Sequence, residues 1–175
     1  MKILGLLRHA KSDWGQSDKR DFDRGLNERG RRGAQVIGDH IRAHGVDWDR
    51  LVASPAERVK QTLAAALPML APQWDERLYL AGTDTIMDVI RETGGDGDAL
   101  LVSGHNPGLG DMLFELVAPK NENALYDEAK VKFPTAAYAV FELDIEDWGE
   151  LRTGCGKLAH FARPRDLDAE LGPEY

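Results

Sequence analysis

Three short apolar runs, each closed by a turn and followed by a stretch of helical periodicity, constrain this chain more than any other feature. The first is Lys2-Ile3-Leu4-Gly5-Leu6-Leu7, continuous rather than alternating, as in a strand buried on both faces. The second spans Asp49 to Ala53 and the third Ala99 to Ser103. Between the first two, Ala34, Ile37, Ile41 and His44 recur at helical spacing. Asn27 is suited to cap that helix and Gly45 to stop it. Ser54-Pro55 predicts a helix over Ala56 to Leu67, with Ser54 as cap, Pro55 in the first turn and Pro68 at the end. Further helices are predicted over Thr83 to Thr93, closed by Gly94-Gly95, and over Leu109 to Val117. Strands alternating with helices specify an α/β fold. The expectation is a single-domain three-layer sandwich over residues 1–175: a mostly parallel central sheet with helices on both faces. Late strands, over Ala136 to Leu143 and within Gly149 to Phe161, read as antiparallel additions, and Lys11 to Gly25 reads as a polar loop.

Composition narrows the class. At 175 residues the chain suits one substantial core, and its 42% apolar content is that of a globular protein. A net charge of -8 argues against nucleic acid or an anionic membrane as partner, while leaving room for a small cationic pocket. The single cysteine, Cys155, makes neither an internal disulfide nor a zinc cluster and reads as a small buried residue. No apolar stretch reaches the roughly 20 residues that span a bilayer. The N-terminal run is short for a signal peptide and is broken by Arg8, so a cytoplasmic location is expected. No long exposed apolar stripe stands out, and the expectation is a monomer.

Each of the three strands delivers chemistry at its end. Arg8-His9 follows the first, Arg58 lies one turn into the helix after the second, and His105 follows the third. Ligands of open α/β sheets bind outside the carboxyl ends of the strands, so three segments converge on one rim. The residue types suit a phosphoryl group. Guanidiniums match phosphate oxygens bidentately, and a neutral imidazole is a competent nucleophile toward phosphorus. A second, protonated imidazole can stabilise the oxygens in transfer. Taken singly, each residue has a plain structural reading; their joint placement carries the argument.

The segment Arg8-His9-Ala10-Lys11-Ser12 resembles the signature of the histidine phosphatase superfamily. Ser54-Pro55-Ala56-Glu57-Arg58-Val59-Lys60-Gln61-Thr62 and Ser103-Gly104-His105-Asn106-Pro107-Gly108 resemble its second and third elements, in order. Asp23-Arg24-Gly25-Leu26-Asn27-Glu28-Arg29-Gly30 and Phe133-Pro134-Thr135-Ala136-Ala137 are similar to the branch of SixA-like phosphohistidine phosphatases. The resemblance implies a phosphoglycerate mutase-like fold and a catalytic set of His9, Arg8, Arg58 and His105. In it His9 becomes phosphorylated, Arg8 and Arg58 hold the oxygens, and His105 stabilises the transition state. Substrate contacts are expected from Arg8, Arg58, Ser12 and Asn106, although Asn106 also suits a helix cap. No metal or cofactor is implied, and the partner is a phosphorylated substrate such as a histidine-containing phosphotransfer protein.

Mutase-like relatives carry a glutamate that protonates the leaving oxygen. The comparable stretch here, Arg77-Leu78-Tyr79-Leu80-Ala81-Gly82, has none, and Asp75, Glu76 and Asp84 only flank it. General-acid help is worth roughly a hundredfold to ten-thousandfold. Its absence favours phosphohistidine over alkyl esters, because a protonated imidazole leaves without it. Asp13 or Asp18 is the loop carboxylate that would substitute. A broad phosphoester hydrolase acting on metabolites or nucleotides, and a regulatory module that binds phosphate without turnover, stand as alternatives. His40 and His44 have metal-compatible spacing but no evident third ligand, and His160 has no assigned role. Trp14, Trp48, Trp74 and Trp148 read as packing residues, and the Glu28, Arg29, Arg31 and Arg32 cluster as a solvated face or a docking surface for a protein substrate.

Overall fold

A computed structural model describes residues 1–16 and 18–172. The elements run β1 (Lys2–Arg8), α1 (Glu28–His44), β2 (Arg50–Ala53), α2 (Glu57–Ala66), β3 (Gln73–Trp74), α3 (Thr83–Thr93), β4 (Ala99–Gly104), α4 (Gly108–Leu116), α5 (Ala124–Ala129), β5 (Tyr138–Leu143), β6 (Gly156–Ala162) and α6 (Pro164–Leu167). They form a six-stranded sheet in the order β3-β2-β4-β1-β5-β6. Pairs β3-β2, β2-β4 and β4-β1 are parallel, and β5 pairs antiparallel with both β1 and β6. This is the mostly parallel α/β sandwich that the strand and helix pattern predicts.

Period-two alternation along the strands builds two cores. Leu4, Leu6, Leu100 and Val102 face one side, where they pack with Ile86, Ile90, Met112 and Leu113 of α3 and α4. Leu7, Leu51, Ala53 and Leu101 face the other, against Ala34, Ile37 and Ile41 of α1 and Val59 and Leu63 of α2. Burial on both faces explains why β1 and β4 read as continuous apolar runs. Cys155 is buried in the first core, as its residue type suggested.

Helix α1 begins where Asn27 accepts a hydrogen bond from the Gly30 N–H, and it ends at Gly45 in the left-handed region at φ 86°. At α2 the expectation needs correcting. The helix starts at Glu57 behind Ala56, so Pro55 lies outside it and Ser54 is not its N-cap. The last strand is also shorter than the predicted span, beginning at Gly156 after a 3-10 turn over Trp148–Glu150. Strand β3 and helices α5 and α6 have only two, six and four residues, too few for a periodic signal to show in sequence. Among the described residues, no helix is long and apolar enough to cross a membrane.

Candidate active site

Strand register brings the chemistry together. Strand β4 lies between β1 and β2, with Arg8 opposite Gly104 and Ala53 opposite Ser103. The three parallel strands therefore end level, and the residues that follow them, His9, Ser54 and His105, meet at one edge. The motif around α2 ties this edge together. Thr62, fully buried, donates to the Arg58 carbonyl at 2.7 Å and accepts from the Ala10 N–H at 2.9 Å. The second motif thus grips the loop of the first. Gly30 is needed for the same loop, since a Cβ there would lie 2.1 Å from the Lys11 carbonyl oxygen.

His9 is 7% exposed, and its Nδ1 lies 2.7 Å from the Ala10 carbonyl oxygen. A carbonyl only accepts, so Nδ1 carries the proton and the Nε2 lone pair is left available. Burial outweighs that bond, and together with Arg8, His105 and Arg58 it pushes the pKa down to about 3. The imidazole is neutral at pH 7. His105 lies with its ring centroid 5.3 Å from that of His9. Ser54 Oγ sits 2.8 Å from His105 Nε2 and accepts from the Ala56 N–H at 3.3 Å. This contact fixes the orientation of the His105 ring. Among the described residues, His105 Nδ1 and Arg8 Nε are buried without a partner, and the guanidinium nitrogen is a donor that an anion could satisfy. Burial first and Arg58 second push His105 down to about 4. The ring is therefore neutral here, not protonated as the residue pattern suggested. An entering phosphoryl dianion would oppose the guanidiniums and raise it.

Arg8, at the end of β1, donates to the Phe133 carbonyl at 3.2 Å. Burial, then Arg58, lowers its pKa. Arg58 is 4% exposed and makes a fork with Asp21, to its carbonyl oxygen at 2.8 Å and its Oδ2 at 3.0 Å. The Tyr79 hydroxyl donates to the same Asp21 Oδ2. Burial would raise the Asp21 pKa, but Tyr79 and Arg58 together hold it below the ordinary carboxylate value. Neither Asp21 nor Tyr79 stands out in the sequence. Asp21 is one of several acids in a polar loop, set apart only because a 3-10 turn over Asp21–Asp23 carries it to Arg58. Asp13 instead accepts from the Gly15 N–H at 2.9 Å, Asp18 is exposed, and neither lines the cleft.

The cleft itself has a volume of about 360 Å³ and is lined by Arg8, His9, Arg58 and His105, with Ser12 and Asn106 also on its wall. All six predicted site residues are thus brought together. The Asn106 amide also has a structural role. It donates to the Phe133 carbonyl at 2.7 Å and accepts from the Gly110 N–H at 3.0 Å, capping the first turn of α4.

Fold and site have counterparts of known structure. SixA from Nakamurella multipartitia superposes with a TM-score of 0.81 at 30% identity, covering 93% of this chain and 96% of its own. SixA from Agrobacterium tumefaciens gives 0.75 at 30% identity, covering 93% and 98%. The model of the histidine phosphatase superfamily (branch 1) matches residues 4–79, which hold the first two motifs. This chain belongs to the histidine phosphatase superfamily. In sequence it is also 34% identical over 160 residues to the uncharacterized protein Rv1276c of Mycobacterium tuberculosis, covering 91% of this chain and all of that one.

Within this histidine phosphatase, the Phe133–Ala137 motif is a latch. The Phe133 carbonyl holds both Arg8 and Asn106, the Ala136 N–H donates to the His9 carbonyl at 2.9 Å, and the Arg8 N–H donates to Ala137 at 3.1 Å. Of the four tryptophans, Trp148 is buried as expected, but Trp14 is 64% exposed and lines the cleft. His40 and His44 do acquire a neighbour that the sequence did not reveal. His160 on β6 lies 2.7 Å from His40, Nε2 to Nε2, and stacks on His44 at 4.0 Å between centroids. The rings stack rather than converge, and among the described residues no group of three or more metal-binding side chains is placed to hold an ion.

Proposed function

We propose that this histidine phosphatase dephosphorylates phosphohistidine in proteins or peptides by way of a phosphorylated His9. The observation that carries the reading is the fixed tautomer of His9, whose Nδ1–H is held by Ala10 so that a neutral Nε2 faces a cleft lined by Arg8 and Arg58. In the first step His9 Nε2 bonds to phosphorus as the substrate's N–P bond breaks, and the leaving imidazole departs with the proton it already carries. Water then attacks phosphorus, the His9–P bond breaks, and inorganic phosphate is released. Arg8 and Arg58 hold the oxygens, and the His105 ring donates a hydrogen bond to the charge that develops on them. These guanidiniums supply the positive charge that a metal would bring, so the reaction proceeds without one.

Leaving-group chemistry supports phosphohistidine over alkyl esters. The carboxylate paired with Arg58, Asp21, has a lowered pKa and is also held by Tyr79, so at pH 7 it is ionised and has no proton to give an alkoxide. A protonated imidazole needs no such help. Both SixA relatives carry the name phosphohistidine phosphatase, in keeping with this reading. The test is kcat/KM on a phosphohistidine peptide against a panel of alkyl phosphoesters. A preference of about a hundredfold or more for the peptide is expected. Equal turnover of the esters would overturn the substrate assignment, and phosphate binding without turnover would make the chain a binding module.

A further inference from the structure

A second cavity, of about 190 Å³, adjoins the cleft and shares Lys11 and Thr135 with it. Five cationic side chains line this groove: Lys11, Arg29, Lys132, Arg163 and Arg165. Among the described residues no carboxylate lines it. In a chain of net charge -8, so local an excess of positive charge is a departure from the surface as a whole. The five differ in how they are held. Arg163 is locked in place by Asp166 at 2.9 Å and Glu128 at 2.6 Å, so it serves mainly as structure. Arg29 reaches the Glu170 carbonyl at 3.0 Å. Lys132 is exposed and Arg165 half-buried, and neither makes a hydrogen bond or ion pair among the described residues.

The cleft's own rim adds a different chemistry. Trp14 and Leu80, 64% and 53% exposed, both line it. Large apolar side chains left in water beside a phosphate pocket give a small polar metabolite little to bind, whereas a polypeptide covers them with side chains of its own. Cleft and groove together also extend well past the reach of one phosphoryl group.

We infer that the groove is a substrate subsite, in which Lys132 and Arg165 bind acidic side chains of the polypeptide whose phosphoryl group enters the cleft. The inference rests on the phosphohydrolase reading above and adds to it a preference for acidic sequence around the phosphorylated residue. Opposite charges in this position act on encounter and register more than on chemistry, so the effect falls on KM rather than kcat. It also fades with added salt, since the groove is open to solvent.

The experiment compares two phosphohistidine peptides, one with aspartates flanking the phosphorylated residue and one with serines, on the unaltered chain and on a Lys132→Ala/Arg165→Ala variant. Among the described residues neither replaced side chain has a hydrogen bond or ion pair, so the variant keeps its fold. The acidic peptide is expected to show a KM about tenfold lower than the neutral one, and the double replacement to remove most of that difference while kcat for both stays comparable. Equal KM values on the unaltered chain, or a loss in the variant that is the same for both peptides, would overturn the inference. So would a loss seen only with a small bisphosphorylated compound, which would assign the groove to a second phosphate. Calorimetric titration of the two peptides into the His9→Ala chain reads the same preference without turnover. A failed phosphatase reading is thereby distinguished from a failed subsite.

Discussion

Two clusters of histidines sit in this molecule, and their surroundings differ. His9 and His105 lie at the strand ends, each with one nitrogen engaged by a named partner, Ala10 in the first case and Ser54 in the second. His40, His44 and His160 lie between α1 and β6 and interact chiefly with one another, through one N···N contact and ring stacking. Burial is the first cause of a lowered pKa in both places, reaching about 3 for His9 and about 4 for His105 and His160. A depressed imidazole pKa is therefore no mark of a catalytic group by itself. The first cluster differs in the partners that hold each ring and in the guanidiniums beside it, which give an anion a reason to enter.

Single replacements should separate the two clusters most strongly. Removing the nucleophile by His9→Ala should lower kcat/KM on a phosphohistidine peptide by at least about a thousandfold, while His40→Ala should change it less than about twofold. Comparable losses would mean that the two clusters are not functionally distinct. Ser54→Ala probes the orientation of His105. It removes the hydroxyl that orients His105, and a fall in kcat of about ten- to a hundredfold is expected with the melting temperature little changed. An unchanged kcat would show that His105 needs no orienting partner.

A smaller effect should follow at Asp21. Its carboxylate occupies Arg58 and competes with phosphate for it, so Asp21→Asn should tighten inhibition by inorganic phosphate about threefold. Weaker inhibition would show that Asp21 instead holds Arg58 in its working position.

The smallest effect concerns pH. Histidines whose folded pKa lies below the ordinary 6.5 bind fewer protons than in the unfolded chain, so their stability is present in full above pH 6.5. It is lost as pH falls through about 4, where His105 and His160 titrate, and then through about 3, where His9 does. The melting temperature should drop between pH 6.5 and 4. His160→Gln should reduce that drop by about 1–3 °C, a modest share because the group is part-exposed. No change in the drop would mean that the second cluster opens freely to accept protons.

Much of this was open to reading from residues alone, for identifiable reasons. Strands β1 and β4 announce themselves because both faces are buried, and the catalytic candidates because each follows directly from a strand or opens a helix. What escaped was set by tertiary placement. Ser54-Pro55 has the look of a cap, yet the hydroxyl serves a histidine brought alongside by β4. Asp21 resembles its neighbours in a polar loop until Arg58 and Tyr79 select it. His160 sits far along the chain from His40, and only the placement of β6 against α1 joins them.

The proposed cycle depends on a bond between His9 Nε2 and phosphorus. The measurement that tests it most directly is rapid quenching of a reaction with phosphohistidine peptide, followed by mass spectrometry and by phosphorus NMR of the denatured protein. One phosphoryl group is expected on His9, attached at Nε2, because Nδ1 is engaged with the Ala10 carbonyl. A phosphoryl group at Nδ1, on another residue, or absent while turnover proceeds at full rate would contradict it.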